Sequence, residues 1–160
     1  CHFGAEKGKT AGIPPANVCM NCHKYIKQGT NTGTEEIAKI YKALDWNAET
    51  QTYGPNQKPI KWVRVHNLPD FAYFNHSQHV MVGQVKCQTC HGPVEEMGVA
   101  KQFSPLTMGW CIDCHRNTEV KMEGNHYYDD LHKKLADKFG KDTKLTVDKI
   151  GGLECARCHY

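Results

Sequence analysis

Long apolar stretches are missing from this sequence. The longest are of the order of Val80-Met-Val82, far short of the ~20 residues a membrane-crossing helix needs. Aromatic residues make up only 9% of the chain and hydrophobic ones 39%. A chain of 160 residues normally makes one domain, but this one has the means for only a thin core of its own. Charge of one sign is lacking too: 20 Lys and Arg stand against 17 Asp and Glu, so no basic excess marks a nucleic-acid binder.

Cysteine and histidine are plentiful instead, at 9 and 10 residues. Eight of the cysteines fall in four Cys-x-x-Cys-His pentapeptides: Cys19–His23, Cys87–His91, Cys111–His115 and Cys155–His159. With this content chance would give roughly 0.03 such motifs. Each reads as a covalent c-type haem attachment site. Cys19 and Cys22, Cys87 and Cys90, Cys111 and Cys114, and Cys155 and Cys158 would form the thioethers. His23, His91, His115 and His159 would be the proximal iron ligands. Two intervening residues let both sulfurs reach one macrocycle, and the next residue turns its imidazole under the metal. Paired zinc knuckles also use Cys-x-x-Cys, but they do not require a histidine directly after the second cysteine each time.

Cys1, followed by His2, remains over. It could be a lipid-modified cysteine, a free thiol, or the end of a fifth motif. Internal similarity favours the third: Cys19-Met-Asn-Cys-His-Lys24 parallels Cys111-Ile-Asp-Cys-His-Arg116, and each follows an earlier Cys-His, Cys1-His2 or Cys90-His91. The expectation is a two-haem unit used twice, a chain that starts partway through a longer protein, and five haem c groups in all. Ferric haem with ionised propionates adds about −1 each, which would bring the formal +3 to about −2. Porphyrins would then supply the missing core, and the apoprotein would be largely unfolded. Such attachment suits an oxidising, extracytoplasmic compartment, with the thiols consumed as thioethers rather than disulfides.

The expected fold class is a multihaem cytochrome c: a haem-filled core in mostly irregular loops, with a few short α-helices and minimal β. Three stretches are distinguished within one haem domain. Residues 1–34 are a Gly/Pro/Thr-rich loop ending the first two-haem unit. Residues 35–60 are a packing helix and a surface excursion. Residues 61–160 are a three-haem unit. The packing helix covers 35–44, with Ile37, Ile40, Tyr41 and Leu44 on one face and Thr34 as N-cap. Lys61–His66 alternates like a short strand. Little room for regular structure is expected over 87–116, and a helix over 129–139 ends before Gly140.

The sixth iron ligand decides the role. Two strong protein ligands make an electron carrier, whereas an open position can bind substrate. Five histidines lie outside the motifs. His76 and His79 are three apart, so on a helical turn they could reach two different haems. His132 shares a helical face with Tyr128, Leu135, Ala136 and Phe139, and His66 ends the strand-like run; both are candidate distal ligands. His126, in a polar loop, is not. Met108, just before Cys111, is the methionine candidate; such ligation raises the potential. Trp110 and Tyr160 flank attachment sites and suit packing against porphyrin edges.

Four stretches carry a resemblance. They are Gly12-Ile-Pro-Pro-Ala-Asn-Val-Cys-Met-Asn-Cys-His-Lys24, Val65-His-Asn-Leu-Pro-Asp-Phe-Ala-Tyr-Phe-Asn-His-Ser-Gln-His-Val80, Met108-Gly-Trp-Cys-Ile-Asp-Cys-His-Arg116 and Glu154-Cys-Ala-Arg-Cys-His-Tyr160. Together they resemble the pentahaem cytochrome c subunit of bacterial alternative complex III, a quinol:electron-acceptor oxidoreductase. The Phe-x-His-x-x-His element alone is shared with class III multihaem cytochromes. The resemblance implies an upstream region with another His-x-x-His element and a membrane helix, so that not all five spare histidines need be ligands. It also implies iron–sulfur and integral-membrane partner subunits, a monohaem cytochrome c or an oxidase as acceptor, and a place on the periplasmic side of the bacterial cytoplasmic membrane. The function expected is electron transfer, not catalysis by this chain alone. The rivals are a catalytic reductase of nitrogen or sulfur oxyanions, which needs an open or Lys-ligated haem, and a conductive multihaem filament.

Overall fold

The computed structural model describes residues 2–121, 126–140 and 144–160, without the side chains of residues 126–128 and 132. Cys1 and Met122 lie outside the described residues, as do the side chains of His126, Tyr128 and His132.

Among the described residues, seven short α-helices carry most of the regular structure: α1 (Gly4–Lys7), α2 (Ala16–His23), α3 (Glu35–Leu44), α4 (Cys87–His91), α5 (Met108–Asn117), α6 (His126–Phe139) and α7 (Cys155–Cys158). A π-turn spans Gln78–Val82, and 3-10 turns span Val94–Glu96 and Val147–Ile150. The described β-structure is one antiparallel pair, β1 (Trp46–Asn47) with β2 (Thr52–Tyr53), and isolated bridges. None of the helices is long and apolar enough to cross a membrane among the described residues.

α3 forms where the helical spacing puts it, and Ile37 and Leu44 are buried. Its start differs from expectation. Thr34 has helical backbone angles and makes no side-chain cap, so Glu35 and Glu36 in the first turn offset the exposed amides electrostatically. α2 is stopped upstream by Pro15 in an extended conformation, and Met20 on its inner face is 2% exposed. The Tyr41 hydroxyl donates to the His23 carbonyl and so ties α3 to the end of α2.

Three other expectations are corrected. Lys61–Val65 takes no regular structure and pairs with no strand among the described residues; alternation gives a strand only where a neighbouring ladder accepts its amides, and the pairing occurs earlier, at 46–47 and 52–53. The stretch 87–116 holds more regular structure than foreseen. Met108–Asn117 is a full helix with the Thr107 hydroxyl accepting from the Trp110 amide at 3.3 Å, which is N-cap chemistry. The helix expected over 129–139 begins at His126; its end is as read, with Gly140 at φ +93°.

Beyond α2 and α3 the chain is stitched by long-range backbone hydrogen bonds more than by a core. His76 and Ser77 amides donate to the Lys9 and Gly8 carbonyls at 3.2 and 3.0 Å, Tyr73 to Cys158 at 2.7 Å, and Val120 to Leu145 at 2.8 Å. The bonds from His76 and Ser77 join the first and third stretches drawn from the sequence, and the other two tie the third stretch to itself. The buried hydrophobic side chains are Met20, Ile37, Leu44 and Leu145. The accessible surface is 12214 Å², whereas a folded monomer of 18.1 kDa normally shows about 8,100 Å². Phe71, Phe103, Met81, Val99 and Trp62 are among the large apolar residues left exposed. The protein alone leaves an unusually large surface uncovered.

Candidate haem-binding site

All four motifs open short helices or lie within them, so each pair of cysteines is one helical turn apart, on one side. Cys19 and Cys22 are on α2, Cys87 and Cys90 on α4, Cys111 and Cys114 on α5, and Cys155 and Cys158 on α7. All eight are free thiols. Three motifs converge. Burial, then Cys114, Cys111 and Cys87, pushes the Cys90 thiol up. Burial, then Cys158 and Cys114, does the same to Cys111. The turn after Cys90-His91 is tight as well: Gly92 has φ +70°, and a Cβ there would lie 2.5 Å from the Phe103 ring. Only glycine gives both the left-handed angle and the space.

The histidines are arranged in facing pairs. His76 and His91 have ring centres 6.5 Å apart and planes within 6°. His79 and His115 have centres 6.2 Å apart and planes at 24°. A metal–imidazole bond is about 2.0–2.1 Å and the ring centre lies about 1.1 Å behind the bonding nitrogen, so two imidazoles sharing one metal stand ~6.3 Å apart. Both separations are close to that spacing. They are too wide for direct ring contact.

The other ring nitrogen is engaged throughout. Nδ1 of His2 meets the Gly12 carbonyl at 2.6 Å, that of His23 the Ile26 carbonyl at 3.1 Å, and that of His76 the Lys9 carbonyl at 2.9 Å. His79 reaches Asn75 at 2.8 Å, His115 reaches Gly152 at 2.7 Å, and His159 reaches Phe71 at 3.4 Å. A carbonyl only accepts, so Nδ1 carries the proton and Nε2 keeps a lone pair for a metal. Protonation state agrees for two of the rings. Burial, opposed by the Asn75 bond and reinforced by His115 and His76, holds His79 below the usual imidazole range. Burial, with His66, His76 and His2, lowers His91. Both rings are therefore biased towards the neutral, ligating form.

The Phe74–Val82 segment places both His76 and His79. The Asn75 side-chain oxygen accepts from the Ser77 hydroxyl at 2.9 Å and the Gln78 amide at 3.3 Å, starting the helical turn on which His76 sits. His79 falls in the π-turn, and Phe74 stacks on its ring at 4.3 Å.

The remaining candidates stand elsewhere. The His66 Nε2 lies 3.3 Å from the His91 Nδ1, with the rings edge-on at 4.4 Å. Met108 opens α5 with its side chain 64% exposed. Tyr160 is 82% exposed, with its hydroxyl donating to the Asp70 carbonyl at 2.9 Å. Among the described residues no three His, Cys, Asp or Glu side chains converge as a bare metal ion would need.

Sequence reasoning did not single out Asn75, nor the carbonyls of Lys9, Ile26, Phe71 and Gly152. A carbonyl has no side-chain signature, and only Asn75, directly before His76, offered a local cue as a turn-forming residue. Compared with known proteins, the chain matches no protein-family model and no curated protein.

Proposed function

We propose that this chain is an electron-transfer unit carrying covalent haem c on its Cys-x-x-Cys-His motifs. In this reading it resembles the pentahaem subunit of alternative complex III, and relays electrons on the periplasmic side from a quinol-oxidising membrane complex to a cytochrome c or an oxidase. The single observation that carries the haem reading is the pairing of His76 with His91 and His79 with His115 at 6.5 and 6.2 Å. Each pair supplies two donors. Two are what an iron already held by four porphyrin nitrogens lacks, whereas a bare zinc would need more. The excess surface and exposed aromatic residues add support, because they are the faces a large apolar group would cover.

Haem, when bound, supplies one-electron chemistry at iron. The chain's own part is placement. Cys87 with Cys90 and Cys111 with Cys114 would hold two macrocycles on α4 and α5; His91 and His115 would ligate from the motif side, and His76 and His79 from the distal side. Because His76 and His79 share one segment, these two sites are locked at close range. Carbonyl partners on Nδ1 orient the rings and raise their basicity. With a pair of histidines to hold each haem, these sites would suit electron relay rather than substrate binding.

Intact mass of the protein matured in a cytochrome c-assembling host tests this. About 0.6 kDa is expected per attached haem, with four increments from motifs 19–23, 87–91, 111–115 and 155–159. A mass of apoprotein alone, with no Soret band, would sink it. The ferric protein should be dominated by low-spin signals; a strong high-spin signal would favour a reductase with an open iron.

A further inference from the structure

Among the described motif histidines, His91 has a partner unlike the rest. His2, His23, His115 and His159 turn Nδ1 to main-chain carbonyls. His91 turns it to a side chain, the Nε2 of His66 at 3.3 Å. Two bare ring nitrogens at that distance would repel, so one proton lies between them. If His91 is to ligate through Nε2, its own Nδ1 must carry that proton, and the His66 Nε2 must be the acceptor.

We propose that His66 is a positioning residue for His91, accepting its Nδ1–H and fixing the ring that faces His76. This rests on the haem reading above. The consequence is specific to one site. At the other motif histidines the acceptor is backbone and no substitution can delete it. At His91 a single side chain sets both ring orientation and electron donation. An N–H···N bond places electron density on the His91 ring and favours the more oxidised metal. The edge-on geometry, with planes at 83°, also braces the ring laterally.

The test uses His66→Leu, which removes the acceptor, and His66→Gln, whose side-chain oxygen can restore it. Both are compared with the wild type for haem count, spin state and the individual midpoint potentials. Expected for His66→Leu are an unchanged haem count, low-spin iron throughout, and one midpoint shifted upward with the others unmoved. His66→Gln should bring that midpoint back towards the wild type. A new high-spin haem in either variant would overturn the proposal, since it would make His66 a ligand. Unmoved midpoints in His66→Leu would overturn it too. Should His66→Leu fail to accumulate, His66→Gln decides alone: low-spin haem throughout supports the proposal and a high-spin signal overturns it. A wild-type protein without any haem would instead remove the reading on which the proposal stands.

Discussion

Residues 13–60 and residues 61–121 with 144–160 are held together by different means. In the first region a protein core exists: Met20, Ile37 and Leu44 are buried between α2 and α3, and β1–β2 closes beside them through a Trp46–Tyr53 ring contact at 4.8 Å. In the second the buried hydrophobic residue is Leu145, and the rings that should pack face one another across gaps of 6.2 and 6.5 Å. Burial of side chains can stabilise the first region unaided. On the reading proposed above, the second would keep its shape through groups that fill the gaps.

The largest expected effect breaks that contrast directly. Cys87→Ala with Cys90→Ala removes the sulfurs that would anchor one group between His91 and His76. In hydrogen exchange of the matured protein, amide protection should collapse around 61–121, including the π-turn, while α3 stays protected as a separate cooperative unit. Equal loss in both regions, or none in either, would show that the two are not distinct in the way their burial indicates.

This difference also explains what was legible in the sequence. α3 was readable because Ile37, Ile40, Tyr41 and Leu44 recur at helical spacing and their partner is protein. The Cys-x-x-Cys-His motifs were readable because their spacing is dictated by chemistry. Lys61–His66 misled because Trp62, Arg64 and His66 alternate with Val63 and Val65 as a paired strand would, yet Val63 is 84% exposed and His66 is turned to His91. Alternation reports burial on a sheet face only where a sheet exists. The pairing of His76 with His91 and His79 with His115 was out of reach: the His-x-x-His spacing allows two partners but does not select them. That choice follows from the hydrogen bonds of residues 76 and 77 to Lys9 and Gly8, which no local pattern encodes.

Met20 sharpens the comparison from the other side. It lies inside a Cys-x-x-Cys-His motif, yet it is the most deeply buried side chain described and packs α2 on α3; the helical spacing from Ala16 was the available signal. Met20→Ala should destabilise 13–60 by about 2–5 kcal/mol, as truncation of a core side chain does. It should leave the haem count and the midpoints of the His76–His91 and His79–His115 sites unchanged. A large midpoint shift at either site, measured by spectropotentiometry, would mean that the core of the first region reaches the second.

The smallest and most graded effect concerns acid, and it is expected at two rings of the second region. His79 and His91 are held below the usual imidazole value, first by burial. The unfolded chain then protonates first, starting near pH ~6.5. Between that value and the lower folded ones the unfolded state binds more protons, so stability falls as the pH drops through this window and is complete at neutral pH and above. Ligation of either ring to a metal would extend the window downward, because the ligating nitrogen cannot also hold a proton. An acid titration followed by low-spin absorbance should therefore lose these two sites progressively below neutrality, while the helical signal of α3 persists. In region 13–60, His23 turns Nδ1 to the Ile26 carbonyl, next to the Tyr41 bond that anchors it. If both regions titrated together, or if stability rose on acidification, the paired rings could not be the groups that bind the extra protons on unfolding.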